Sequence, residues 1–334
     1  MNEATGLSCP AFVARSWDDL WPFYREYDSG TFSAPNNKSI HWIFRGDKKS
    51  KKDYDNARVC ACETCGKGMI DCLCPHKDFR IPIREDDLRT HLEKAFADYG
   101  VADRQGVEKA LIREFQRKAG LYIDLPPDWD DTIEWLALME HYGAPTRLLD
   151  WTYSFFVAVY FAVSRLRCSD EVGEVWAINA SWLSEATDSK LPTDCCTLRT
   201  VGHEPEASDF TGLLAKKRSH IVAQLIERPT GLVYNVTPFR LNKRITAQQG
   251  TFLCPGDISA SFVENLCACV DEGPISQSNL NRLIISVCPE QRNEILRQLC
   301  RRNIEQATLF PDLEGFAKSL WGKLAYPEIF GLNA

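Results

Sequence analysis

His141-Tyr-Gly-Ala-Pro-Thr-Arg147-Leu-Leu-Asp150-Trp-Thr152, running on into Ser154-Phe-Phe-Val-Ala-Val-Tyr-Phe-Ala-Val-Ser-Arg-Leu166, decides how this chain is read. Upstream, Asp131 and Glu134 open a helix that carries Trp135, Leu136, Leu138 and Met139. Gly143 and Pro145 close it, because glycine takes the left-handed turn after a helix and proline cannot continue one. Thr146–Thr152 is then short and reads as extended. Residues 154–166 are apolar on every side, the pattern of a buried helix. A helix, a short strand and a buried helix therefore follow one another. Their junction crowds an imidazole, a phenol, a guanidinium, a carboxylate and an indole into twelve residues.

Working outward, Ser16-Trp-Asp-Asp19 opens a helix with a serine cap and an acid three residues on. Ile40-His-Trp-Ile-Phe44 alternates as a strand that ends at Arg45-Gly46. Residues 84–99 and 104–119 read as amphipathic helices, the second with Leu111, Ile112 and Phe115 on its apolar stripe. Strands are predicted at Glu174–Asn179, Gly231–Thr237, Gly250–Cys254 and Arg282–Cys288, a loop at 184–212, and helices at 290–302 and 313–324. Helices gather in the first half and strands in the second, which predicts an α+β fold with a mixed or antiparallel sheet. Residues 1–39 read as an N-terminal helical extension. The domain proper is then 40–334, interrupted at 47–83 by a lysine-rich and cysteine-rich insertion without helical period.

The chain has 334 residues, and 39 basic against 46 acidic side chains leave a formal charge of −7. With 44% hydrophobic and 25% charged residues, the composition excludes a disordered chain, a collagen and a coiled coil. No run approaches the roughly 20 apolar residues of a membrane span. MNEATGLSCPAF has no basic start of a secretory leader, so a reducing cytoplasm is expected. The negative balance argues against nonspecific coating of nucleic acid.

In such a compartment most of the fourteen cysteines are expected to be reduced thiols, and a tight cluster is expected to be a metal site rather than free thiols or a redox pair. Cys60, Cys62, Cys65, Cys72, Cys74 and His76 follow the spacing C-x-C-x2-C-x6-C-x-C-x-H, with Gly66 and Gly68 at the turn. Cys62, Cys65, Cys72 and Cys74 are the preferred tetrahedral set for a structural zinc ion, with Cys60 or His76 as substitutes. Four protein ligands leave no open position for catalysis. Lys48, Lys49, Lys51, Lys52 and Lys67 offer either a solvated loop or a docking surface for nucleic acid. Arg147 and Asp150 read equally as a buried ion pair or as functional groups. His141 suits a helix C-terminus electrostatically.

Phe44-Arg45-Gly46, Glu134-Trp135 through His141-Tyr142-Gly143, Pro145 through Thr152, Ala158 with Tyr160-Phe161-Ala162, Arg244 through Phe252, and the segments Asn303-Ile304 and Leu309 through Gly315 together resemble the FRG-domain family. A second resemblance is to ADP-ribosyltransferases: an arginine at a strand end, a strand ending in threonine that feeds an apolar helix, then a late strand with a polar pair. That resemblance implies a split mixed or antiparallel sheet enclosing NAD⁺ as substrate. It implies Arg45, Asp150, Gln249 and His141 in catalysis, and Gly46, Tyr142, Arg147, Trp151, Thr152 and Gln248 in binding NAD. Gln248 or Gln249 stands where active transferases carry an acid, which implies that the charge comes from Asp150 or, second, Glu314, that turnover is slow, or that the pocket only binds NAD-like ligands. The implied activity is that of an ADP-ribosyltransferase or NAD glycohydrolase, as a toxin or antiphage effector modifying a protein or nucleic acid. The competing reading is a zinc-stapled, non-catalytic module for nucleic acid or nucleotides.

Overall fold

The computed structural model describes residues 4–27, 41–55, 70, 80–167, 170–190, 222–269 and 279–325. In chain order the elements are β1 (Ala4–Ala14), α1 (Leu20–Tyr27), β2 (Trp42–Ser50), α2 (Lys52–Asp55), β3 (Arg80–Arg84), α3 (His91–Tyr99), α4 (Arg104–Ala119), α5 (Thr132–His141), β4 (Leu149–Thr152), α6 (Phe155–Val163), β5 (Glu171–Asn179) and α7 (Ala180–Lys190). There follow α8 (222–227), β6 (Val233–Val236), α9 (Lys243–Ala247), β7 (Gly250–Pro255), α10 (Phe262–Cys269), β8 (Leu280–Ile285), α11 (Pro289–Cys300), α12 (Gln306–Leu309) and α13 (Leu313–Ala325).

The fold is α+β on a mixed sheet of eight strands, in the order β3-β1-β8-β5-β2-β4-β7-β6. The β1–β8 pair is parallel and the other pairs are antiparallel. β1 joins two ladders: Ser8–Pro10 pair with β3 and Ala11–Ala14 with β8. The strands thus form one continuous order, where the transferase resemblance implied a split sheet.

Side chains alternate across the sheet. Ile43 and Ile178 enter one core with α5, α7, α8 and α10. Their neighbours Phe44 and Ala177 enter a second core with α1, α6 and α11. Helices therefore cover both faces. Local caps set the helix starts around the junction. Asp131 accepts from the Glu134 amide, and Ser154 accepts from the Val157 amide at 3.4 Å. Gly143, with φ 79°, ends α5 as expected.

Several expectations are corrected. Residues 4–14 are a sheet strand and α1 lies in the core, so the described part of 1–39 belongs to the domain rather than to a helical extension. β2 continues past Gly46 to Ser50 because all nine of its residues pair with β5. The expected insertion at 47–83 thereby loses both ends, since 80–84 form β3. The predicted loop at 184–212 begins inside α7, whose buried Leu183 and Thr187 give it an inward side. Its remainder, from 191, lies outside the described residues, as do Cys195 and Cys196.

Candidate functional site

The site is assembled where β4 lies between β2 and β7, below the C-terminal end of α5. Arg45 on β2 donates from Nη1 to the main-chain carbonyl of Asp150 on β4 at 2.7 Å. Burial pushes the Asp150 carboxyl above the usual aspartate range; nearby Glu140 adds to this, and Arg45, Arg244 and His91 oppose it. Glu140 is itself buried. It receives the Thr146 hydroxyl on one oxygen and lies 2.9 Å from His91 Nδ1 on the other. That hydrogen bond raises the His91 pKa against the opposing effect of burial. Two carboxylates and their cationic neighbours thus share one patch.

Glu140, His141, Asp150, Trp151, Arg244 and Gln248 contribute to the wall of a small hollow of about 30 Å³. His141 and Arg244 also line an adjoining cleft of about 490 Å³. The cleft has aromatic walls from Tyr142, Tyr160 and Phe310, and the cations Arg165 and Lys318 beside the acids Asp312 and Glu314. Arg244 stacks over Phe310, 4.9 Å from the ring centre. Burial and Arg244 lower the His141 pKa, with Asp312 opposing. His141 Nδ1 and Trp151 Nε1 are buried and have no hydrogen-bond partner among the described residues.

Residues 82–171 match the family model of the FRG domain. Over that segment the chain is similar to the FRG domain. The matched segment runs from β3 to the start of β5, so the FRG domain match contains His91, Glu140, His141 and Asp150. Arg45, with the Phe44-Arg45-Gly46 motif, and Arg244 lie outside it and reach the same site from β2 and α9. Comparison with curated proteins and with solved structures gave no match.

The structure divides the residues expected around this site into two groups. Arg45, Asp150, His141, Trp151 and Gln248 converge, and Tyr142 reaches the adjoining cleft. Arg147, expected to hold phosphate, is 1% exposed and locked in the core. Its Nε donates to Glu108 Oε1 at 2.6 Å, its Nη2 pairs with the other Glu108 oxygen, and Nη1 donates to the Pro255 carbonyl. Gly46, expected beside a ligand, instead lets α6 approach β2: an added Cβ would lie 1.8 Å from the Ala158 oxygen. Thr152 is buried, its hydroxyl donating to the Gln248 carbonyl at 2.6 Å and accepting from the Ser154 amide. Gln249 is exposed in a left-handed backbone conformation, φ 49°, where its carbonyl holds the Tyr153 amide. It therefore serves the α9–β7 turn. Glu314 lines the cleft but not the hollow.

Sequence reading missed three residues. Glu140 stands directly before His141 in the quoted stretch, and Arg244 begins a motif already noted, so both had a local signal. His91 had none, because its partner is 49 positions away. The expected zinc ligands Cys62, Cys65, Cys72 and Cys74, with Cys60 and His76, lie outside the described residues. Among the described residues no group of three or more His, Cys, Asp or Glu could hold a metal ion. No described helix is long and apolar enough to cross a membrane.

Proposed function

We propose that this protein cleaves the nicotinamide–ribose bond of NAD⁺ and passes the ADP-ribosyl group to an acceptor, as an ADP-ribosyltransferase or NAD glycohydrolase. One observation carries the reading: the shielded carboxyl of Asp150 stands beside Glu140, and its hollow shares His141 and Arg244 with a cleft walled by aromatic rings and cations. Breaking that bond builds positive charge on the ribose, as in glycoside cleavage. A carboxylate fixed close by stabilises this charge. The C1′–N bond breaks, nicotinamide leaves with the electron pair, and the incoming nucleophile gives its proton to Asp150. Arg244, with Arg165, would hold the diphosphate. Tyr160, Phe310 and Tyr142 offer faces on which a planar ring stacks.

This reading keeps Arg45, Asp150 and His141 in the reaction and replaces Gln249 and Arg147 by Glu140 and Arg244. It retains a structural zinc held by Cys62, Cys65, Cys72 and Cys74, supported by their spacing. It also retains a cytoplasmic toxin or antiphage role. The competing nucleic-acid module has less support: Lys48 is 2.6 Å from Glu171, and Lys49 donates to the Asp87 carbonyl at 3.0 Å. Those two lysines serve the fold rather than a phosphate backbone.

The test is release of nicotinamide from NAD⁺ by the full chain. Asp150→Asn should slow release by about 10²- to 10⁴-fold, the usual worth of a positioned acid or base. Arg244→Ala should chiefly raise KM. No release by the parent protein, with salt-dependent retention of nucleic acid, would replace this reading by the binding module.

A further inference from the structure

Helix α13 presents large apolar side chains to solvent and small residues to the protein. Gly315 and Ser319 are buried, and an added Cβ on Gly315 would lie 2.0 Å from the Phe310 carbonyl oxygen. On the outer side Leu313 is 83% exposed and Trp321 77%, with Leu320 and Ala317 exposed beside them. At i, i+4, i+7 and i+8 these residues form one stripe, the kind that ordinarily faces a core. Glu314 and Lys318 flank it and pair with each other. Elsewhere on the same molecule, α4 and α5 enclose an apolar groove of about 550 Å³. Phe115, Leu138, Met139 and Pro145 line it, with the exposed Tyr122 and Tyr142. Glu114 and Lys118 also line it and, like the pair on α13, are an acid and a base four residues apart joined by an ion pair. A groove between two helices is a receptor for the apolar stripe of a third.

We infer that the α13 stripe of one copy seats in the α4–α5 groove of a second copy, and the reverse, so that the protein forms a two-fold dimer. Charge fixes the direction. Laid antiparallel to α4, α13 sets Glu314 against Lys118 and Lys318 against Glu114, whereas a parallel helix would set like charges together. Area favours the exchange. Leu313, Leu320 and Trp321 together expose on the order of 300 Å², so one stripe in one groove is too small for a specific complex. Two stripes and two grooves come to the roughly 1,000 Å² that such a complex needs. A foreign helix in the groove would leave the α13 stripe in water; a second copy covers both faces and closes the assembly. Tyr142 belongs to the groove and also to the cleft beside His141, which Glu314 and Lys318 line too. The dimer contact therefore borders the site, although the pairing does not depend on NAD⁺ cleavage.

Sedimentation velocity of the full chain over a range of concentrations tests the pairing. The parent should shift from monomer to dimer as concentration rises, and a parent that stays monomeric throughout overturns the inference. Trp321→Glu on the stripe and Tyr122→Glu in the groove should each raise the dissociation constant about thirtyfold or more, the usual loss at an anchoring aromatic residue. Both side chains are exposed, so each variant should keep the parent's circular dichroism. Mixing the two variants, one of them fluorescently labelled, decides what meets what. The groove of Trp321→Glu and the stripe of Tyr122→Glu are both intact, so the mixture should form a mixed dimer with one sound contact. A mixture that stays monomeric means that stripe meets stripe or groove meets groove, and it overturns the exchange. Charge reversal reads the direction: Glu314→Lys with Lys318→Glu should weaken the dimer several-fold, and adding Glu114→Lys with Lys118→Glu should restore it. A dimer indifferent to the stripe and groove variants, or a monomer that floats with phospholipid vesicles unless Trp321 is replaced, gives the stripe to another surface and overturns the pairing.

Discussion

Arg45 does not reach the carboxylate of Asp150. It donates instead to that residue's main-chain carbonyl at 2.7 Å, tying β2 to β4 at the base of the site. The guanidinium holds the strand that carries Asp150 and still opposes the rise in its pKa. Arg45→Ala should therefore cost about 1.5–3 kcal/mol in stability, the range for a hydrogen bond to a charged group. It should also lower nicotinamide release more than the stability loss explains. Denaturant titration beside single-turnover assay separates the two effects.

Arg147 and Glu108 provide the contrasting case. Both are buried, and they meet at two points. Arg147→Met alone leaves a buried carboxylate unpaired and should destabilise the fold by about 3–5 kcal/mol. Adding Glu108→Leu should restore much of that loss. Activity per folded molecule should stay at the parent level in the double variant. A fall in the specific rate would return Arg147 to the site.

Gly46 should tolerate no side chain. An added Cβ would lie 1.8 Å from the Ala158 oxygen and 2.9 Å from the Ala162 nitrogen, both main-chain atoms of α6 or its close packing. Gly46→Ala should cost at least about 1–3 kcal/mol through this overpacking. Gly120→Ala, where nothing lies within 4 Å of the new atom, is the control and should change little. Thermal unfolding of the two variants decides it.

His91 and Asp150 set the pH dependence. The His91 pKa is raised in the folded chain by Glu140, so its contribution to stability is fully present below its unfolded pKa of about 6.5 and is lost as pH rises through the folded value. The Tm difference between parent and His91→Gln should accordingly shrink as the solution becomes alkaline. Asp150 is also raised, so burial favours its protonated form. Its base function needs the ionised form, and the acid limb of kcat should lie above the ordinary aspartate pKa of about 3.9. That limb should be absent from the residual activity of Asp150→Asn.

Much of the central region is legible from short-range chemistry. The helix–strand–helix succession of α5, β4 and α6 follows from Asp131, Gly143, Pro145 and Ser154, because caps and turns act over three or four residues. The α+β class follows from the distribution of periodic segments. β1 escaped such reading because its meaning as a strand depends on β8, with Ala11 opposite Arg282 in the parallel ladder.

Local chemistry in the chain already dictates which groups are crowded around residues 134–152, and that Asp150 leads into a buried helix. Only the tertiary structure decided which guanidinium serves the site. Arg45, Arg147 and Arg244 carry the same charge, and nothing local distinguishes them. Glu108, 39 positions from Arg147, takes that arginine into the core. Helix α9 brings another, Arg244, to Asp150. A buried charge is committed by the partner that compensates its desolvation, and that partner is chosen by packing between distant segments.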